Sequence, residues 1–238
     1  MANRAESGAD SSILVWDLPT RLFHWLLVGT LAGGWLTHEM GLEWTELHMW
    51  SGYAALGLVI FRVMWGFVGP THARFTSFLA SPSRTRNYAR HWLTGDAPTY
   101  TGHNPLGGWA IVLMLALVLV QAVSGLFNSD DIMYAGPWQG SVSTETAELM
   151  SEIHAVNFDI LLLVVALHLA AIASYWVRWR VNLLRPMLNG RKPLHMADPD
   201  HAITGQRLLV GVIVAGLAAT IVWAIVASAP TPTVDDFF

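Results

Sequence analysis

The sequence predicts an all-α integral membrane protein: a four-helix transmembrane bundle followed by a fifth, C-terminal transmembrane helix. Three observations carry this reading. Of the 238 residues, 53% are hydrophobic and only 13% charged, against roughly 25% charged in soluble chains. Five apolar runs each approach the roughly 20 residues needed to cross a hydrocarbon core of about 30 Å. All 13 Lys and Arg residues fall on one side of those runs, and cytoplasmic loops are where such residues collect.

The first run, about 22–37, is apolar apart from His24 and follows Val15-Trp16-Asp17-Leu18-Pro19, a lead of interfacial character. The second, about 47–69, holds His48 near one end and Arg62 near the other. The third, 105–127, opens on Pro105, a residue suited to the first helical position, and has Gln121 as its strongly polar member. The fourth, 153–177, contains His154, Asp159 and His168; the fifth, 208–229, has no ionisable group and stops at Pro230. Arg4 and Arg21 precede the first run, Arg74, Arg84, Arg86 and Arg90 follow the second, and Arg178, Arg180, Arg185, Arg191, Lys192 and Arg207 lie between the fourth and fifth. The opposite side, 38–46, 128–152 and the tail, has acids instead, among them Glu39, Glu43, Asp130, Asp131, Glu152, Asp235 and Asp236. The N-terminus is therefore expected in the cytoplasm and the C-terminus outside. The polar first dozen residues, with no small-residue cleavage site after the first run, predict that this run is retained. Loops 70–104 and 178–207 read as interfacial, with a short amphipathic stretch at Arg84–Leu93.

Composition also excludes function classes. A net charge of -4 with the cations confined to short loops leaves no basic surface for nucleic acid. The absence of cysteine rules out disulfides, covalently attached haem, iron–sulfur clusters and thiolate zinc sites within the chain. Metal chemistry must then rest on the ten histidines.

Ionisable groups inside spans are costly and usually functional, which singles out His24, His48, His154 and His168. His154 and His168 are separated by close to four helical turns, so they share a face to within about 40° and lie roughly 21 Å apart along the axis. That interval suits two stacked haems, each bound by one His from each of two facing helices at matching depth. Span direction places His48 level with His154 for an outer haem and His24 nearest His168 for an inner one, the second match requiring helix tilt. Gly29, Gly33 and Gly52, with Ala155, Ala166 and Ala170 beside the fourth-run histidines, offer room for a flat macrocycle, although small residues also simply let membrane helices pack closely. His38 repeats the interval from His24 but stands among Thr37, Glu39 and Met40, and is read as interfacial rather than as a ligand. Arg62 repeats it from His48 and either pairs with an inner-haem propionate or snorkels to the surface. Asn157, Asp159 and Gln121 could orient imidazoles or propionates.

The other histidines point less strongly. His195 and His201 with Asp198 and Asp200 match no standard zinc spacing and are read as solvated loop polarity. His72, His91 and His103 lie in or beside the first cytoplasmic loop, where His103 is the best placed to line a quinone pocket. Trp16, Trp44, Trp138 and Trp179 lie near span ends, as in an aromatic belt.

Several stretches resemble one family. Val15-Trp16-Asp17-Leu18-Pro19-Thr20-Arg21-Leu22-Phe23-His24-Trp25 looks like the opening of bacterial cytochrome b561 and hydrogenase b-type cytochrome subunits. Leu47-His48 through Gly52-Tyr53, Phe61-Arg62 through Trp65-Gly66-Phe67-Val68-Gly69, Gly102-His103-Asn104-Pro105-Leu106-Gly107-Gly108-Trp109 and Ser124-Gly125-Leu126-Phe127 agree in order. The likeness covers about residues 13–192. It implies a four-helix core with two non-covalent b haems bound by histidines on the first, second and fourth spans, exchanging electrons with membrane quinone in the bacterial inner membrane. The positions matching the family's ligands are His24, His48, His154 and His168. The fifth span and His38 are departures from the family's pattern.

The organisation expected is a dihaem cytochrome domain over 1–192, then a linker, fifth helix and short outer tail over 193–238. The leading function is an electron-transfer subunit linking the quinone pool to a periplasmic redox partner, either a c-type cytochrome docking on the acidic outer face or a hydrogenase-like subunit. A stand-alone superoxide:quinone oxidoreductase ranks below it, because an acidic outer face repels superoxide. A haem-free transporter or proton channel using His, Asp159 and Gln121 is the third class.

Overall fold

The computed structural model describes residues 12–129 and 134–230. Arg4, Asp130, Asp131, Asp235 and Asp236, used above to orient the chain, lie outside the described residues. Five long helices dominate: α1 Leu18–Glu39, α2 Thr45–Val68, α5 Pro105–Gly125, α6 Thr144–Trp179 and α8 Leu208–Ala227. Between them lie α3 Phe75–Phe78, α4 Pro82–Thr94 and α7 Leu184–Asn189, and a two-stranded antiparallel ribbon pairs β1 Ser12–Leu14 with β2 Arg191–Pro193 in the register Ile13 to Lys192.

Each predicted run is a helix. Pro105 does stand first in α5, where its missing N–H costs nothing, and the Asn104 side chain accepts from Gly107 N at 2.8 Å to cap that end. The fourth helix begins at Thr144, earlier than the apolar run, and takes in Glu145 in its first turn, where the positive end of the helix dipole favours acids. Among the described residues, four helices are long and apolar enough to cross a membrane: α2 with its leading 3-10 turn, α5, α6 and α8. Helix α1 falls short of them on composition, because His24, His38, Glu39 and its Gly and Trp residues dilute the Leu and Val. Only 6% of the most apolar stretch of α6 is covered by protein, as suits a helix whose leucines face hydrocarbon rather than a protein core.

The amphipathic stretch is α4. Pro82 starts it, Ser81 Oγ accepts from Arg84 N, and Gly95 closes it at φ 94°, a left-handed conformation that glycine adopts without steric cost. Tyr88 is its buried residue, while Arg84, Arg86 and Arg90 stay exposed.

The contacts gather into two compact units. The first comprises residues 12–22, 65–112 and 168–211. At its centre the lead Val15-Trp16-Asp17 is buried, not interfacial as its composition suggested. The reason is that the Asp17 carboxylate finds donors: Thr20 N at 2.9 Å and Thr20 Oγ1 at 2.8 Å, capping α1, and Trp65 Nε1 at 3.1 Å. Trp65 is wholly buried. The second unit comprises residues 23–64, 113–167 and 212–230. Its apolar core is Leu56, Ala122 and Leu126, with Tyr53, Trp138 and Val222 packed against them. Trp138 Nε1 donates to Ile225 O at 2.9 Å, fixing α8 to the loop that precedes α6.

Candidate metal centre

Within the second unit, α2 and α6 bring two imidazoles together. The ring centroids of His48 and His154 are 6.1 Å apart with planes at 74°. Each ring is oriented by a helix carbonyl. His48 Nδ1 lies 2.9 Å from Gly34 O on α1. His154 Nδ1 lies 3.0 Å from Gln121 O on α5 and 3.2 Å from Ser124 Oγ. A carbonyl oxygen only accepts, so each Nδ1 carries its hydrogen and each Nε2 keeps its lone pair. The Ser124 hydroxyl already donates to Val120 O at 2.7 Å, which leaves its oxygen as a second acceptor for the His154 N–H.

Glycine makes these approaches possible. A Cβ on Gly34 would lie 3.6 Å from Ser51 Cβ, so α1 runs close enough to α2 for its carbonyl to reach His48. A Cβ on Gly125 would meet His154 Cε1 at 3.1 Å, tight enough to push the ring. Nothing lies within 4 Å of where a Cβ on Gly29 or Gly52 would stand, so those two helix surfaces have open space beside them.

Around this pair, Asn157 is buried and donates to Leu117 O at 3.0 Å and to Gln121 Oε1 at 2.6 Å. His38, at the end of α1, is exposed and its ring centroid is 5.9 Å from that of His48. Arg62 is buried at 2% exposure, which sets aside the reading in which it snorkels to a surface. Asp159 is exposed. Among the described residues no group of three or more His, Asp or Glu side chains converges as a metal cage. His24 is half-buried on α1 with its ring edge-on to Trp25 at 5.1 Å. His168 is half-buried on α6 and falls in the first unit, whereas His24 falls in the second.

The loop histidines separate in the structure. His72 is buried and its Nε2–H donates to His201 O at 2.7 Å, with burial pushing its pKa down. His103 packs against Trp16 at 4.5 Å and Phe78 at 4.9 Å between ring centroids. Trp16 is thus a core residue and not part of an aromatic belt, since two histidines and a closed loop cover it. His91 and His195 are exposed, and His201 meets only Asp198 as an ion-pair partner, at 3.2 Å on the surface. Lys192, read from the sequence as one of the loop cations, is buried; Nζ donates to Tyr100 O at 3.1 Å, and burial pushes its pKa down to about 8.

The sequence model of the prokaryotic cytochrome b561 family matches residues 15–190. The chain belongs to that family. A probable Ni/Fe-hydrogenase B-type cytochrome subunit of Rhizobium leguminosarum bv. viciae is 22% identical to it, over 76% of this cytochrome and 89% of that protein. The resemblance read from the motifs is therefore correct, and the chain is a multi-pass membrane protein of an electron-transferring family that uses haem b. Helix α8 lies beyond the family match. The His48–His154 geometry fits such a group. Imidazole nitrogens about 2 Å from a metal on either side put the ring centroids about 6 Å apart, and the observed separation is 6.1 Å. The Nδ1–H bonds to backbone carbonyls supply the outer hydrogen bonding that ligating imidazoles need. His38 lies as near to His48, but it is exposed, whereas His48 and His154 are both half-buried.

Proposed function

We propose that this cytochrome carries two b haems and passes electrons between membrane quinone and a redox partner outside the cytoplasmic membrane. The observation that carries the proposal is the His48–His154 pair, with ring centroids 6.1 Å apart and each Nδ1 held by a helix carbonyl so that both Nε2 atoms are free to ligate. The second haem is assigned to His24 and His168, the two remaining span histidines and the positions that match the family's ligands, and Arg62 is assigned to its propionate. Five helices cross the membrane in this reading, α1 included, with the N-terminus in the cytoplasm and the C-terminus outside. The segregation of all 13 cations on one side supports that orientation.

Haem iron supplies the one-electron step and the protein tunes it. The chain's own part is to hold the rings through Gly34, Gln121 and Ser124. Exposed Glu145, Glu148 and Glu152 at the start of α6 lie two to three turns or less from His154 along the helix, and would steer a basic partner such as a c-type cytochrome. A hydrogenase-like subunit is the other partner class, since the Rhizobium relative is named for one.

The test is reduction by quinol. Purified cytochrome in liposomes should develop reduced b-haem absorption within seconds of anaerobic addition of a short-chain ubiquinol or menaquinol. Absorption that appears only with dithionite would contradict the proposal.

A further inference from the structure

We propose that Asn157 is a positioning residue that sets the reduction potential of the haem assigned to His48 and His154, by locking α5 and α6 in the one register that keeps Gln121 O on His154 Nδ1. The inference rests on the haem assignment above and goes beyond it.

Helices α5 and α6 touch through polar atoms at two successive levels. At one, His154 Nδ1 faces Gln121 O and Ser124 Oγ. One turn along α6, Asn157 donates both amide hydrogens to α5, one to Leu117 O at 3.0 Å and one to Gln121 Oε1 at 2.6 Å. Leu117 and Gln121 are themselves one turn apart, so the amide spans a full turn of α5. Gln121 belongs to both levels: its carbonyl orients the imidazole and its side chain receives the clamp.

The surroundings of these helices are otherwise slippery. Both helices are otherwise rich in Leu, Val and Ala, and hydrocarbon packs against such side chains as well as another helix does. A shift of one residue moves a helix by about 1.5 Å, enough to carry a hydrogen-bond acceptor from 3.0 Å to a distance at which the bond is lost. Asn157 is 6% exposed, and an amide buried without partners in hydrocarbon is strongly disfavoured. Only one register satisfies both of its hydrogens, and that is the register in which the imidazole is held.

The link to potential is the Nδ1–H bond. Donation from Nδ1–H to a carbonyl raises the basicity of Nε2, and a more basic ligand favours the ferric over the ferrous state. Loosening the bond therefore moves the potential in the positive direction.

The experiment is an anaerobic redox titration with low-spin ferric EPR on the haem-loaded protein: wild type, Asn157→Leu, Gln121→Met and His48→Ala. His48→Ala identifies which signal belongs to this haem. The expected result is that Asn157→Leu shifts that haem's potential upward and alters its EPR signal while the other haem stays in place. Gln121→Met, which keeps the carbonyl and loses the side-chain acceptor, shifts it in the same direction by less. A full haem complement with both potentials unchanged in Asn157→Leu overturns the inference and leaves the haem assignment intact. If Asn157→Leu does not accumulate, Gln121→Met decides by the same criterion. A wild type without haem removes the assignment itself.

Discussion

His154 Nδ1 lies 3.0 Å from the backbone carbonyl of Gln121, and its ring centroid stands 6.1 Å from that of His48. A side chain with two nitrogens able to ligate thereby keeps the lone pair on Nε2. The same arrangement holds His48, through Gly34 O on a different helix. Two imidazoles on separate helices are thus each held by the backbone of a neighbouring helix.

Gly125→Ala tests how closely that ring is confined. The added methyl would meet His154 Cε1 at 3.1 Å, so the imidazole must tilt. We predict a folded protein with reduced haem occupancy and a shifted Soret band. Gly216→Ala on α8, where a Cβ has open space, should fold and bind haem as the wild type does, and the paired absorbance spectra provide the check.

Removing the Asp17 carboxylate tests the centre of the first unit. Asp17→Ala takes one of two acceptors from Trp65 Nε1, leaving Thr20 Oγ1 3.1 Å away, and removes the cap on Thr20 N. Losing a cap and a buried hydrogen bond costs on the order of 1–3 kcal/mol. Thermal unfolding in detergent should show a lowered midpoint, with Asp17→Asn falling in between. The haem absorption per folded molecule should be unaffected.

Lys192→Met tests a buried cation. Its pKa falls from 10.5 to about 8 in the folded protein, so between those values the unfolded chain binds the proton that the folded chain has released. Stability must then rise with pH across that window. We predict that the variant is at least as stable as the wild type at pH 7, and that its advantage shrinks as pH rises from 8 towards 10. Melting midpoints at a series of pH values give the comparison.

Much of the helical frame is legible in the sequence because a membrane leaves few alternatives: long apolar runs must satisfy their backbone within themselves. The run at 105–127 became α5 with Pro105 in its expected place, and the run at 208–229 became α8. What misled was local composition without its partners. Val15-Trp16-Asp17 reads as interfacial until Trp65, far along the chain, is seen to receive the carboxylate. Arg62 allowed two readings, and only packing shows it buried. At the candidate site, the nearness of His48 to His154 was legible from the direction of the spans that carry them. The groups that orient them were only partly so. Gln121 and Asn157 stood out as polar residues in apolar runs, but Gly34 acts through its backbone, which no side chain announces, and Ser124 looks like an ordinary small residue until its hydroxyl is seen 3.2 Å from His154.

Haem content measures the central claim most directly. Pyridine haemochrome quantitation on detergent-purified wild type, His48→Ala and His168→Ala should give two b haems per chain in the wild type and one in each variant, since each pair loses a ligand. A wild type purified without haem, even after haem supplementation during expression, or variants that retain the full complement, would contradict it.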